Sequence, residues 1–577
     1  MSKQPSQAAK GLAAGTVNYG DKDFALFLRR AFIKGAGLSD EDLAKPIVGI
    51  VNTGSDFNPC HGNVPQLIEA VKRGVMMQGA LPMVFPTISL HESFVAPTSL
   101  YLRNLMSMDT EEMIKAQPMD AVVLIGGCDK TIPAQLMGAF SAGKPFVVLP
   151  TGPMLSSRWR GERVGACTDC RRLWADFRAG RLSQEQIDDA NNHLVPSVGT
   201  CSVMGTASTM ACMVEAMGLT VAGAASAPAV SADRLRIAER SGYAAARLAK
   251  GETTMPEINE QQVHNALAVL LAIGGSTNAL VHLSAMIGRL GMVLDPAQFN
   301  ALADQTPVLV NLKPAGEGYM PDFHEAGGLL RVLSQLKDLL HLDIPTVFGD
   351  SLSDRLNGLG APTESVVIRE RSNPIYPNGG LRWLKGNLAP QGAVIKPVAA
   401  SQSLLEHTGR AVIFDGLEDM ALRIDDPNLD VSSDDILVLR GIGPKGAGMP
   451  EAGLIPIPRK LAAQGVRDMV RISDGRMSGT AYGTIVLHIS PEAVDGGPLS
   501  LVRAGDMIRL SVRESSLQLM VDELTLEQRR TEQAHKTLPT VSQPRGYGRL
   551  HAQEVLQAEH GCDFRFLRQT PGESTTR

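Results

Sequence analysis

Three of the seven cysteines lie in loops beside groups able to bind ions: Cys60-His61-Gly62-Asn63, Gly126-Gly127-Cys128-Asp129-Lys130-Thr131 and Gly199-Thr200-Cys201-Ser202. Iron–sulfur clusters are usually held by four cysteines. A set of three suggests a metal cluster with one open iron, free to act on a substrate as a Lewis acid rather than to carry electrons. Taken singly, a free cysteine is most often a small buried hydrophobe. Position separates two of these from that reading: Cys128 follows the apolar run Ala121 to Ile125, and Cys201 precedes the small-residue stretch Gly205 to Ala211. Both sit where a loop opens a helix, and the unpaired N–H groups and dipole of a helix start stabilise anionic sulfur.

Hard donors accompany the soft ones. Asp129 and Lys130 adjoin Cys128, Glu92 lies within Ser89-Leu90-His91-Glu92-Ser93, and Glu451 ends Gly446-Ala447-Gly448-Met449-Pro450-Glu451. Carboxylate oxygens suit magnesium, although a lone acidic residue is ordinarily a solvated surface charge. The adjacency of Asp129 to Cys128 brings a sulfur site and an oxygen site into one short loop. In Arg471 to Gly483, Ser478 stands among glycines and small residues, and Gly479 and Thr480 extend a loop able to cradle an anion. No G-x-S-x-G elbow surrounds Ser478, so an acyl-transfer triad is not indicated. Gly274-Gly275-Ser276-Thr277-Asn278 lacks the Walker lysine and reads as scaffold. Cys167-x-x-Cys170 has no second ligand pair at zinc-site spacing and stays unassigned. Cys212 and Cys562 read as bystanders.

The elements that must position these residues are of two kinds. Residues 1–20 read as a flexible N-terminus. From Pro46 onward, short β-rich runs alternate with helical stretches, and Ala121 to Ile125 and Pro145 to Leu149 flank a helix beginning near Thr131, which predicts a parallel β-α-β unit in an α/β domain over 21–380. Chemistry is expected at the strand ends. Between Arg371 and Pro397 the texture turns to Ser-Asn-Pro, Pro-Asn-Gly-Gly and Leu388-Ala389-Pro390-Gln391-Gly392, dense in turn formers. Beyond it, short strands over 381–577, such as Ala411 to Phe414, Ile436 to Leu439, Thr484 to His488 and Met507 to Val512, predict a β-rich barrel or sandwich.

At 577 residues the chain calls for two or more domains. Its 20% charged residues and net charge of -5 contain no biased block, which argues against nucleic acid or an acidic membrane and for a small-molecule partner. Val263 to Gly288 is broken by polar residues and Gly274-Gly275, so it reads as two buried helices and not a membrane span. The N-terminus lacks the apolar segment of a secretory signal, and an odd cysteine count at irregular spacing makes no disulfide framework. A cytoplasmic location is expected.

With these residues assembled, the chain resembles the dihydroxy-acid and sugar-acid dehydratase family over nearly its whole length. The most specific stretches are Gly127 to Thr131, Gly199 to Cys201 with Met204 to Thr209, Gly274 to Asn278, and Asp474 to Gly483. The resemblance implies that Cys60, Cys128 and Cys201 hold an iron–sulfur cluster, of the two-iron rather than the four-iron type. It implies magnesium on Glu92, Asp129, Glu451 and a carbon-dioxide-modified Lys130 (N6-carboxylysine), with Ser478 as the base. It also implies a homodimer or homotetramer with the site between an α/β domain and a C-terminal β-barrel-like domain. One departure is visible: the family commonly has Cys-Asn-x-His where this chain has Cys60-His61-Gly62-Asn63. Ser89 to Phe94 and Arg471 to His488 look like the sugar-acid branch, whose aldonic acids (arabinonate, xylonate) lose water to give 2-keto-3-deoxy acids. The alternatives are the branched-chain dihydroxy-acid dehydratase, which acts on dihydroxyisovalerate, and an iron–sulfur electron carrier or sensor. Against the last stands the absence of a fourth cysteine at cluster-like spacing.

Overall fold

Apolar runs with no polar alternation make strands buried on both faces, as a parallel sheet requires. In the computed structural model, which describes residues 10–360, 365–451, 455–533 and 544–569, four such runs form the N-terminal sheet. They are β1 (Ile47–Asn52), β2 (Leu81–Pro86), β3 (Ala121–Gly126) and β4 (Phe146–Pro150), in the order β2-β1-β3-β4 with every neighbouring pair parallel. β3 and β4 are buried throughout, whereas β2, at the edge, is partly exposed. The helices Val64–Met77, Ser99–Ala116 and Thr131–Ala142 make the three crossovers. The expected β-α-β unit is therefore present, and the loops leaving the carboxyl ends of β1, β2 and β3 carry Cys60, Glu92 and Cys128.

Around the sheet lie further helices, among them Glu260–Ala272 and Asn278–Gly288, the two halves of the apolar stretch interrupted at Gly274-Gly275. Among the described residues no helix is long and apolar enough to cross a membrane. A small antiparallel hairpin, β5 (Ser157–Trp159) and β6 (Glu162–Val164), precedes the helix Thr168–Arg178.

The second unit is a closed eight-stranded barrel. Its strands are β7 (Arg382–Gly386), β8 (Ala389–Ile395), β9 (Glu406–Asp415), β10 (Ile436–Arg440), β11 (Arg471–Ser473), β12 (Ile485–Ser490), β13 (Met507–Ser511) and β14 (Ser516–Leu519), closing in the order β10-β11-β12-β8-β7-β14-β13-β9. Inward residues such as Leu384, Ile395, Val438, Ile472, Val486 and Leu510 fill its core. Closure removes the exposed strand edges an open sheet would leave. The barrel, not the sandwich, is the form adopted.

Two segments differ from expectation. Leu388 to Gly392, read as turn, enters β8, because its proline sits where the ladder to β7 is irregular and short of the first residue paired with β12. β8 shifts register against β7 there, Pro390 and Gln391 are exposed, and no ladder bond is asked of the missing N–H. Residues 1–9 of the expected flexible N-terminus lie outside the described residues, but the rest is anchored: Gly11 N–H donates to both Asp120 carboxylate oxygens at 3.0 Å. At the other end the chain returns to the α/β domain, where Arg289 donates to Asp563 at 2.7 and 3.0 Å with both side chains fully buried.

On the barrel rim, the buried Glu492 carboxylate accepts N–H bonds from Lys445 (2.8 Å) and Gly446 (2.9 Å) and from the Gln557 amide (2.9 Å). Burial and the nearby Asp474 nevertheless raise its pKa from 4.5 to about 7. A carboxyl group that holds its proton more tightly when folded stabilises the fold below pH 4.5 and loses that contribution as pH rises through 7. Glu492→Gln, which cannot ionise, should therefore gain on the parent protein by up to ~3 kcal/mol between pH 5 and pH 8. Urea unfolding at the two pH values measures this, and a difference that does not change with pH would contradict it.

Candidate active site

The sulfur donors are brought together by backbone contacts between strand-end loops. Cys60 lies in the short helical turn Pro59–His61 after β1. The Gly127 and Cys128 N–H groups donate to His61 Nε2 at 2.9 and 3.0 Å, so the proton is on Nδ1, which donates to the Thr53 carbonyl at 2.9 Å. Burial holds the imidazole neutral, its pKa lowered to about 4. Thr151 Oγ1 donates to the Cys60 carbonyl at 2.9 Å, and Asn63 Nδ2 donates to the carbonyls of Thr151 and Ala229, each at 2.9 Å. The two polar residues exchanged relative to the usual motif, His61 and Asn63, thus both pin backbone around the cysteines.

The ligand atoms of Cys60, His91 and Cys128 all lie within 4.8 Å of one another. The Cys128 thiol hydrogen-bonds Cys60, and against the opposing burial this, with His91, lowers the Cys60 pKa to about 6, while Cys128 is raised. Cys201 is carried in by a third loop, in which Gly199 N–H donates to the Pro59 carbonyl (3.3 Å) and Thr200 N–H to the Gly152 carbonyl (2.9 Å). Its thiol is raised first by contact with Cys167 and by burial, and it also senses Cys60 and Asp129. Cys167, unassigned from its spacing, has its sulfur 3.1 Å from that of Cys201, 34 residues away. A sequence reading that pairs cysteines by local spacing cannot see this contact. His91, named only as a neighbour of Glu92, was visible as the one imidazole in that loop.

The oxygen donors surround a buried lysine. Lys130 Nζ pairs with Asp129 and lies 3.3 Å from Glu92 and 3.7 Å from Glu451. Arg476, fully buried, pairs with Glu92 at 3.0 Å and Glu451 at 2.7 Å. Burial and Arg476 push the Lys130 pKa down, but Asp129, Glu92 and Glu451 more than restore it, leaving it above the ordinary value. Burial raises Glu92, yet Arg476, Lys130 and the Ser99 and Thr98 hydroxyls hold it well below the usual carboxylate range. Three carboxylates from three loops around one buried nitrogen fit a hard divalent cation, and the clustered thiols fit a soft-metal or iron–sulfur group. The sets meet: Cys128 Sγ is 3.4 Å from Asp129 Oδ1.

Ser478 is presented by a loop wedged between the two domains. Asn278 Nδ2 donates to the Met477 carbonyl at 2.8 Å, and Thr206 and Ser276 hydroxyls meet at 2.9 Å beneath it. A Cβ on Gly479 would lie 2.5 Å from Ser276 Oγ, so only glycine allows this approach. Ser478 Oγ is 2.8 Å from Thr480 Oγ1, and Thr168 Oγ1 donates to the Thr480 carbonyl at 3.0 Å. The Gly274 to Asn278 segment is scaffold for this loop. Beside the site, Arg171, 3.8 Å from Glu451, joins it to a cavity of about 930 Å³ whose wall includes Arg172 and Tyr482.

Comparison with known proteins adds three observations. The family descriptions dihydroxy-acid/6-phosphogluconate dehydratase N-terminal and C-terminal match residues 45–355 and 366–562. The chain is 42% identical to the 6-deoxy-6-sulfo-D-gluconate dehydratase of Pseudomonas putida over 94% of each chain, and 42% identical to the L-arabonate dehydratase of Azospirillum brasilense over 98% of each. It is 35% identical to the dihydroxy-acid dehydratase of Pyrococcus abyssi, over 93% of this chain and 97% of that one.

Because buried Arg476 shares with Lys130 the balancing of Glu92, Asp129 and Glu451, removing its charge leaves three carboxylates to one cation. Arg476→Met should destabilise the metal-free protein by ~3–5 kcal/mol, read by denaturant unfolding. A loss under about 1 kcal/mol, the scale of an exposed pair, would contradict the reading of this pair as buried and charge-balancing.

Proposed function

The chain belongs to the dihydroxy-acid/6-phosphogluconate dehydratase family, whose members are hydro-lyases, and from that membership we propose that it dehydrates a sugar acid, a 2,3-dihydroxy aldonic acid, to the 2-keto-3-deoxy acid. The observation that carries the reading is the single loop Cys128-Asp129-Lys130, in which a sulfur donor and an oxygen donor stand 3.4 Å apart. Cys60, Cys128 and Cys201 would hold an iron–sulfur cluster of two irons rather than four. Glu92, Asp129 and Glu451, with a carboxylated Lys130, would hold magnesium. When bound, these groups supply Lewis acidity at the departing C3 hydroxyl and at the carboxylate and C2 hydroxyl.

The chain's own residues do the rest. Ser478, as an alkoxide, takes the C2 proton and becomes the neutral alcohol. A free alcohol is too weak a base near neutral pH, so its oxygen needs electrostatic help from the magnesium and from backbone N–H groups, of which the Thr480 N–H donates to Ser478 Oγ at 3.3 Å. Thr480 Oγ1, at 2.8 Å, orients the serine oxygen. Proton loss at C2 and departure of the C3 hydroxyl as water leave an enol, which tautomerises to the keto acid. Carboxylation of Lys130 exchanges an ammonium for an anionic oxygen, which the site tolerates only when a cation balances Glu92, Asp129 and Glu451.

Relatives named for sugar acids stand at 42% identity and a dihydroxy-acid dehydratase at 35%, which favours the sugar-acid reading. The proposal includes a homodimer or homotetramer in the cytoplasm, where reducing conditions keep cluster thiols free. Ser478→Ala should keep its iron, sulfide and magnesium yet lose roughly 10²- to 10⁴-fold in turnover; near-normal turnover would refute the assigned base. Assayed for keto acid, the parent enzyme should turn over L-arabinonate or a gluconate derivative well above 2,3-dihydroxyisovalerate, and the reverse order would favour the branched-chain reading.

A further inference from the structure

Of the cations around the oxygen donors, one has nothing to hold. Arg476 uses its donors on Glu92, Glu451, the Thr98 hydroxyl and the Met449 carbonyl, and Lys130 is enclosed by Asp129, Glu92 and Glu451. Arg171 stands 3.8 Å from Glu451, beyond hydrogen-bond reach, with its side chain only 20% exposed. Among the described residues its guanidinium makes no hydrogen bond, and its Nε is buried without a partner. A guanidinium carries five N–H donors and no acceptor, and donors kept from water without a partner are costly. The arrangement calls for an anion that is not part of the chain. Nor is the guanidinium carried on a loose element. Arg171 lies in the opening turn of the helix Thr168–Arg178, whose buried Asp169 accepts from Gly165 N–H (3.0 Å), Lys313 Nζ (2.8 Å) and the Tyr319 hydroxyl (2.8 Å). Thr168 ties the same turn to Thr480 in the serine loop at 3.0 Å.

We infer that Arg171 is a substrate-binding residue, whose guanidinium takes the carboxylate of the hydroxy acid. The inference rests on the reading of Glu451 as a holder of the divalent ion and of the substrate as an acid bound at that ion, and it adds a protein donor to that reading. With one carboxylate oxygen on the magnesium, the other is left for the chain to bind, and the unused donors of Arg171 stand beside the same Glu451. The planar guanidinium fork matches a carboxylate edge, which the point charge of a lysine does not. Arg171 also lines the cavity of about 930 Å³ beside the site, whose charged lining among the described residues is seven arginines against two aspartates. That surplus of positive charge draws small anions toward the place where the cavity meets the oxygen donors. Thr168, one turn back on the helix, holds Thr480, so the residue that grips the acid and the loop that carries the base keep a fixed relation.

The test uses the full-length protein, reconstituted with iron, sulfide and magnesium, as the parent and as Arg171→Met, Arg171→Lys and Arg467→Met, with folding checked by circular dichroism. Arg467 is an exposed residue of the same cavity wall and serves as the control. On the acid that the parent turns over best, Arg171→Met should raise KM roughly 10- to 100-fold, the worth of hydrogen bonds to a charged group. Arg171→Lys should recover part of that loss, and Arg467→Met should lie near the parent. In a Ser478→Ala background, calorimetry should show the acid's dissociation constant rising by the same factor when Arg171→Met is added. Manganese titrated into the substrate-free proteins should bind Arg171→Met at least as tightly as the parent, because a positive charge beside Glu451 has been removed. A folded Arg171→Met protein with the parent's KM and acid affinity would overturn this inference and leave the proposed reaction standing. So would a loss of manganese affinity that matches the rise in KM, since Arg171 would then be a support for Glu451. A parent that dehydrates no 2,3-dihydroxy acid would overturn the proposed function and this inference with it.

Discussion

Two N–H groups aimed at one imidazole nitrogen hold this site together. His61 accepts from Gly127 and Cys128 while donating to Thr53, so the loop after β1 and the loop after β3 close on each other and their cysteines become neighbours. The arrangement demands a neutral ring, and deep burial keeps it neutral. It also demands that Gly127 carry no side chain, since a Cβ there would run into Thr151, whose hydroxyl holds the Cys60 carbonyl. A buried donor deprived of its acceptor costs about 1–3 kcal/mol, and here two donors would be stranded at once.

The oxygen half of the site imposes a different constraint. Glu92, Asp129 and Lys130 come from the α/β domain, Glu451 and Arg476 from the barrel, and none of these charges could be buried without the others. Charge balance therefore fastens the domains at the place where chemistry is to happen. The serine loop is held by the same logic of close approach: Gly479 lies against Ser276, and Asn278 holds the Met477 carbonyl. Function and domain packing use the same residues.

Much of this was legible in the chain. The apolar runs of β3 and β4 predicted a parallel unit, the break at Gly274-Gly275 separated two helices, and the family resemblance brought Cys60, Cys128, Asp129 and Ser478 forward. What was hidden was long-range. Nothing in the spacing of Cys167 announces a contact with Cys201, nothing beside Arg476 announces that it balances Glu92 and Glu451, and the exchange of His61 and Asn63 looked like a loss until both were seen to bind backbone. Pro390 misled in the opposite direction, because a register shift lets a strand accept a residue that its ladder would refuse. Periodicity and turn chemistry report local preference, whereas pairings across hundreds of residues are decided by packing.

The central claim is that the sulfur and oxygen donors form one pocket. Its most direct measurement loads the reconstituted protein with manganese in place of magnesium and compares the manganese magnetic resonance signal before and after reduction of the cluster. One pocket predicts a signal strongly broadened or split when the cluster becomes paramagnetic, and abolished by Asp129→Ala. A manganese signal unchanged by cluster reduction, or bound undiminished without Asp129, would contradict it.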